Sequence, residues 1–513
     1  MPGDLCLAID LGTGGPKVGL VGLDGTVLAK ELHSVTTTFG AHGTAHQDAE
    51  EWWDLVCAAT KRLVAGAPGT AARVGAVAIT GQWASTVPVD ADGKPTGPCV
   101  TWQDTSGGRQ VRERVGGHVS GYRGRDVLRW VRRTAGAPSL SGADPIGHIL
   151  GFRAEHPEAA AATRWYLEPV DFLTMRFCGE ATASHASMQG AWLTDVRHLD
   201  RLSYDQQLLD AVGVASDQLA PLRPIGSIVG TVTDDVATSL GIPGSAVVVT
   251  GLPDLQAAAL GAGATSMFAT HLALSTTSWV SCPVPKKKTD ISHSIAVVPG
   301  LTADSYLVVN NQDTGAKALE WFRSVLTGSG GTASYDELTA LAATVPPGSR
   351  GVLFTPWLAG ERSPVANRRA RGGFANVAVT TGTAELARAV LEGVAANSRW
   401  LFGHVEKFCG RSLSPIRMVG GGAQSAVWCQ VFADALDRPV EQVPEPMYAQ
   451  LRGMAALAAV ALGERTLAEV DSLRPRGAVF EPDAAGVEAM AGVTTELIRL
   501  YRDNRSRFRR LNP

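Results

Sequence analysis

A chain of 513 residues that is 45% hydrophobic and 19% charged has the composition of an ordinary soluble globular protein, with room for roughly two to four domains, each with its own core. Its 46 Lys and Arg against 49 Asp and Glu give a net charge of -3, which leaves no basic surplus for nucleic acid or an anionic membrane. The seven cysteines are scattered, odd in number and without a CxxC pair. That is the pattern of reduced, mostly buried thiols in a cytoplasmic protein.

The opening MPGDLCLAID enters a strand directly, without the basic region and apolar stretch of a signal peptide. No uninterrupted apolar run reaches the ~18 residues of a membrane span. Residues 5–9 and 18–23 read as strands joined by a Gly-rich turn, and Asp24-Gly25 turns into a third strand, so the chain opens as an antiparallel meander. Residues 48–66 have helical period, with Asp48 as N-cap and Gly66 as stop. A buried strand follows at 74–80. Strands, then helix, then strand predict a mixed sheet with helices on its faces. Residues 105–245 are irregular, with turn-rich breaks, and read as a helical insertion in the first half.

The second half repeats this grammar from about residue 250. Residues 270–285 read as strand, small-residue turn, strand, and PKKKTD (285–290) as a solvated loop. A strand at 305–311, helices at 314–326, 382–408 and 424–436, and a strand ending in three glycines at 415–423 follow. GMAALAAVALGE (453–464) is a buried helix, too short to span a membrane. The expectation is two duplicated α/β domains, 1–249 and 250–490, with a C-terminal helical tail at 491–513.

Five stretches carry chemistry. Asp10-Leu11-Gly12-Thr13-Gly14-Gly15-Pro16-Lys17 is neither a P-loop nor a dinucleotide fingerprint, since no Gly-Lys-Ser/Thr and no helix follow. Spacing alone favours a plain hairpin turn. Yet its glycines let backbone N–H groups approach phosphate oxygens, Thr13 adds a hydroxyl and Lys17 a charge, and Asp10 suits magnesium through water. GQWAST (81–86) and TWQDTSGG (101–108) place Trp, Gln and Asp after strands, which suits a sugar; the plain alternative makes Trp83 and Trp102 core aromatics. Asp254 in GLPDLQAA stands between strand and helix, as an N-cap or a catalytic carboxylate. VGGGAQS (419–425) permits close backbone approach to a ligand or is a tight connection.

In order and spacing, these stretches resemble the FGGY family of carbohydrate kinases over nearly the whole chain. AIDLGTGGPK is similar to the family's first phosphate motif, HQDAEEWWD (46–54) to a stretch of its xylulokinase-like members, and GLPDLQAAALGAG to the segment with the catalytic Asp. ELARAVLEG (385–393) is similar to the second family signature and VGGGAQSAVWCQVFAD to the adenosine motif. The resemblance implies two ribonuclease-H-like domains of the actin and hexokinase type around a cleft. It implies an ATP- and magnesium-dependent kinase of a small sugar, a ketopentose or related polyol, in a family where homodimers are common. In that reading Asp254 takes the proton of the sugar hydroxyl and Asp10 positions magnesium. Gly12, Thr13 and Lys17 meet the γ-phosphate, and Thr276 and Thr277 meet phosphates from the other domain. Gly421, Gly422 and Ala423 lie along the adenosine, while Gln82, Trp83 and Asp104 line the sugar pocket.

Three departures from the family pattern stand out. Ser275 and Ser278 replace the glycines of the second phosphate motif, Trp83-Ala84 replaces Met-His after Gln82, and Asn376 stands where Gly is usual. The second departure withholds the sugar specificity of xylulokinase. The first leaves room for a regulatory sugar- or nucleotide-binding protein on the same scaffold. A third reading, an actin-like assembly ATPase, fits the sugar segments and Asp254 less well.

Overall fold

The computed structural model describes residues 3–328 and 333–512. The opening meander forms as β1 (Leu5–Gly12), β2 (Gly15–Gly22) and β3 (Val27–Leu32). Helix α1 (Ala49–Gly66) follows, with the Asp48 carboxylate accepting from the Glu50 N–H, and then β4 (Val74–Gly81). After the insertion, whose helices include α2 (Pro169–Cys178), the chain returns as β5 (Ile228–Thr231), β6 (Val247–Val249) and the short β7 (Leu252–Pro253). The sheet order is β5-β6-β4-β1-β2-β3, with β7 beside β4. β1, β4, β6 and β7 are parallel, while β2, β3 and β5 run against their neighbours.

Alternation along the strands decides what each face packs on. Leu7, Ile9, Leu11, Val77 and Ile79 face α1, α2 and the insertion, in a core with Trp52, Trp130, Phe152 and Phe172. Cys6, Ala8, Ala76 and Ala78 face the other way. Their small side chains let a helix approach closely. That helix is α6 (Ala449–Ala461), contributed by the far end of the chain.

The chain leaves the first sheet through α3 (Asp254–Gly261). The second lobe holds β8 (Thr270–Leu274), β9 (Ser278–Ser281), α4 (Thr383–Cys409), β10 (Ile416–Val419), α5 (Ala426–Leu436), β11 (Val440–Gln442), β12 (Val479–Phe480) and α7 (Ala484–Leu511). Its sheet runs β9-β8-β10-β11-β12, again a hairpin beside parallel strands. Leu272, Leu274, Ile416 and Met418 face α4, α5 and α7. Ala273 and Val419 face Ala258 of α3, Ala262 at its C-terminal cap and Ala449 of α6. Helices α3 and α6 therefore lie between the two sheets. Glycines set their approach: a Cβ on Gly261 would lie 1.8 Å from the Ala449 carbonyl oxygen, and one on Gly453 2.2 Å from that of Ala257.

Two expectations change. The residues from 491 are no separate tail, because α7 begins at Ala484 and buries Met490, Val493, Leu497, Tyr501 and Phe508 at helical spacing in the second core. PKKKTD is not simply solvated. Lys287 Nζ donates to the Val131 carbonyl at 2.8 Å, Lys288 Nζ to that of Phe408 at 2.8 Å, and Thr289 Oγ1 to that of Ala135 at 3.3 Å. These carbonyls sit at helix C-termini, where a cation meets unpaired acceptors and the negative end of the dipole. Among the described residues no helix is long and apolar enough to cross a membrane.

Candidate active site

Three parallel strands end side by side. Leu11 of β1 is level with Gly81 of β4, and Gly81 with Pro253 of β7. The residues just beyond, Gly12-Thr13, Gln82 and Asp254, therefore share one edge. The carboxyl ends of parallel strands are where open α/β sheets bind ligands.

The first hairpin is tighter than the sequence suggested. β1 and β2 pair through Gly12 and Gly15, so only Thr13-Gly14 form the turn, and Asp10 and Lys17 lie within the strands, directly opposite each other. Lys17 Nζ donates to Asp10 Oδ2 at 2.7 Å, with Asp10 buried. Burial pulls the Lys17 ammonium down, but Asp10, Asp254 and Tyr448 outweigh it and hold the group above its ordinary value. Gly15 adopts φ +131° and packs on His33, where a Cβ would lie 2.1 Å from the carbonyl oxygen.

Thr13 is held from two sides. Gln47 Nε2 donates to its carbonyl at 2.8 Å, and Trp102 Nε1 to its Oγ1 at 2.9 Å. With that lone pair taken, the Thr13 O–H is free to donate to a phosphate oxygen. Gln82 is buried and donates from Nε2 to Gln47 Oε1 at 3.0 Å, which links the GQWAST segment through Gln47 to the Thr13-Gly14 turn. Gln82 Oε1 is buried without a hydrogen-bond partner among the described residues.

Asp254 is the first residue of α3, with Pro253 in the cap position. The residue as a whole is partly exposed at the strand edge, while its carboxyl is largely desolvated. Burial and the nearby Asp10 charge push it up to about 7, against the pull of the Leu255 N–H and the Lys17 ammonium. A carboxylate poised near neutrality suits a general base.

Trp83 is partly exposed, donates from Nε1 to the Ser187 carbonyl at 3.0 Å and packs on Leu255 and Ala259 of α3. Trp279 packs on the same face from the second lobe, with a buried, unpaired indole N–H. Trp279 was not singled out from the sequence; its place directly after the STTS turn was the available signal. Gln47 was missed too, although it lies in the quoted HQDAEEWWD stretch.

Asp104 does not line the pocket. It is fully buried, and its carboxylate accepts from the Ala45 N–H at 2.7 Å and from Ser106 N and Oγ at 2.8 and 2.6 Å, with His46 Nε2 at 3.3 Å. Burial alone would raise its pKa, but these donors bring it down to about 2. The side chain ties residues 45 and 46 to the segment at 104–106.

Across the interface the second hairpin turns through Ser275, Thr276 and Thr277, with Thr276 exposed. The Gly315 and Ala316 N–H groups donate to the Thr276 and Ser275 carbonyls at 2.9 and 2.7 Å. A Cβ on Gly315 would lie 2.4 Å from the Thr277 carbonyl oxygen. Gly420, at φ +94°, passes so close that a Cβ would lie 2.7 Å from both the Leu274 carbonyl oxygen and Ser275 Oγ. In the adjoining loop Gly421 faces open space, whereas Gly422 and Ala423 are buried. Asn376 takes φ +59°, as glycine would, and its Nδ2 donates to the Gly351 carbonyl at 2.9 Å. Asn is among the few residues that tolerate this region.

Comparisons with known proteins agree with this layout. Residues 5–261 match the N-terminal domain of the FGGY family of carbohydrate kinases and residues 257–462 its C-terminal domain. The chain is 28% identical to xylulose kinase of Escherichia coli (strain K12) over 512 residues, 98% of each chain. It is 26% identical to gluconokinase of Bacillus subtilis (strain 168) over 468 residues, 89% of this chain and 88% of that one. The fold superposes on ligand-bound xylulose kinase from Lactobacillus acidophilus with a TM-score of 0.85 at 21% identity, covering 99% of this chain and 100% of the other. The chain belongs to the FGGY family of carbohydrate kinases, and it is a phosphotransferase that moves phosphate from ATP to a small sugar.

Proposed function

We propose that the acceptor is a neutral ketopentose of the xylulose type, or a related polyol, and that Asp254 removes the proton from its attacking hydroxyl. The observation that best supports this acceptor is Gln82 Oε1, a buried oxygen with no donor. A buried acceptor is costly to leave unmade, and a sugar O–H supplies what it lacks. The next residue, Trp83, is partly exposed and packs against the cluster that holds Leu255 and Ala259 of the helix that carries Asp254. Of the residues gathered here, Lys17 is the cation, and Asp10 already neutralises it. An aldonate carboxylate would meet the Asp10 and Asp254 carboxylates instead, which disfavours gluconate.

Phosphoryl transfer demands alignment and charge neutralisation more than covalent help. Asp254 accepts the proton late, as the loose transition state forms. Thr13 donates its free O–H to the transferring phosphoryl group, and the Lys17 ammonium adds charge behind it. Thr276 and Thr277 contact phosphates from the second lobe, and the open face at Gly421 lies along the adenosine, with Gly422 and Ala423 forming its floor. Two mutually repelling carboxylates, Asp10 and Asp254, fit a divalent cation that takes few protein ligands and keeps its waters. Asp10 would hold magnesium through water, and the ion would neutralise charge on the bound phosphates. Approach of the lobes about the α3–α6 contact would expel water and limit futile ATP hydrolysis.

A coupled ADP-release assay over pentuloses, hexuloses, alditols, glycerol and gluconate tests the acceptor. A pentulose should give the highest kcat/KM. Preference for gluconate would overturn the neutral-acceptor reading while leaving the kinase assignment intact.

A further inference from the structure

Outside the active site, two thiols from distant parts of the chain meet. Cys282 directly follows β9 and is fully buried. Cys409 is the last residue of α4 and is partly exposed. Their sulfurs are 3.7 Å apart. Cations flank the exposed member: Lys288 Nζ bonds the Phe408 carbonyl and lies 4.7 Å from that residue's ring centroid, and the Arg411 guanidinium lies 4.5 Å from the centroid of Phe268.

The two sulfurs are unequal. Hydrogen bonding from Cys282, helped by Lys288 and Arg411, holds the Cys409 thiol below its ordinary value despite burial and the Glu406 charge. The same contact and burial hold the Cys282 thiol up. Cys57, the other partly exposed cysteine, is pushed up to about 11 by burial. Thiolates, not thiols, are the nucleophiles.

We propose that Cys409 and Cys282 are a peroxide-sensitive thiol pair whose disulfide pulls on the second phosphate hairpin. The Cys409 thiolate attacks one oxygen of hydrogen peroxide. The O–O bond breaks, hydroxide leaves and is protonated to water, and Cys409 becomes a sulfenic acid. Cys282 then gives up its proton and attacks the Cys409 sulfur. The S–O bond breaks and a second water leaves, so two thiols and one peroxide yield one disulfide and two waters.

A disulfide requires ~2.05 Å between sulfurs, so closing from 3.7 Å turns both side chains and draws the end of β9 and the end of α4 toward each other. Both are packed in the second core, which transmits such a shift rather than absorbing it. β9 begins at Ser278, which pairs with Leu274 at the base of the hairpin. The effect on ATP rests on the hairpin's proposed phosphate role; formation of the bond does not.

The full-length enzyme is treated with hydrogen peroxide, and peptides are mapped by mass spectrometry. The expected product is a Cys282–Cys409 cross-linked peptide, with Cys57 unmodified. KM for ATP should rise roughly threefold with KM for sugar unchanged, and dithiothreitol should reverse the change. C282S should stop at a sulfenic acid on Cys409 that dimedone traps, and C409S should keep its ATP affinity under peroxide. No cross-linked peptide, a cross-link without a change in KM for ATP, or equal sensitivity in C409S would each overturn the proposal. T276A and T277A enzymes that keep a normal KM for ATP would count against the hairpin's phosphate role alone, because the cross-link is read by mass.

Discussion

The two hairpins proposed to meet phosphate are held in place by different means. The first is charged and ligated from outside: Lys17 is locked to Asp10, and Gln47 and Trp102 hold Thr13. Its glycine of necessity, Gly15, lies within the hairpin. The second is neutral, and main-chain donors from Gly315 and Ala316 hold it. Its glycines of necessity, Gly315 and Gly420, lie in the segments packed against it. Glycine is needed where backbones nearly touch, not at a fixed place in a motif. Serines at 275 and 278 are thus compatible with a working loop.

The largest effect should come from the acid-base chemistry of the first lobe. D254N should lower kcat/KM by about 10³-fold with KM for ATP little changed, measured by coupled assay. Sugar-dependent turnover near the wild-type rate would remove Asp254 as the base. The pH profile follows from its pKa of about 7. The active form is the carboxylate, so kcat/KM should be level above that pH and fall about tenfold per unit below it.

Lys17 separates the two hairpins by charge. K17M should cost roughly 10²-fold in kcat/KM and leave Asp10 buried and unpaired. The ammonium favours ionised Asp254, so its loss should move the acid limb of the profile to higher pH. A limb that stays in place would show that Lys17 does not act on Asp254.

Glycine placement gives the next effect. G420A should lose more than ~1 kcal/mol of stability, because alanine strains at positive φ and its methyl would strike Leu274 and Ser275. G421A should leave the melting temperature unchanged, since nothing lies within 4 Å of the added carbon. It should still raise KM for ATP roughly threefold, as the methyl enters space proposed for adenosine. Equal losses of stability in the two variants would deny the distinction.

Much of this was legible before the structure. Strand alternation in LCLAID encodes two faces, and the meander, α1 and the helix over 383–409 follow from periodicity and turn residues. The sequence could not show that Asp104 spends all its acceptors on Ala45, Ser106 and His46, because two of those partners lie some 58 or 59 residues away. Nor could it show that α6 crosses back to cover the first sheet. A run of alanines tells that a helix is buried, not against what. The α7 tail failed for the same reason: its apolar stripe is clear, and its partner is not.

The smallest expected effects lie in the serines that replace glycine. Among the described residues Ser278 Oγ is buried without a partner, so it contributes desolvation cost and no bond. S278A should therefore hold or raise stability, by up to ~1 kcal/mol. Ser275 is partly exposed and its carbonyl is already bonded by Ala316. S275G should change KM for ATP by less than about twofold, since Gly315 and Gly420 already provide the close approach. A tenfold gain in ATP affinity in S275G would show instead that the serine side chain holds the nucleotide off, and that the second hairpin is weakened rather than rebuilt.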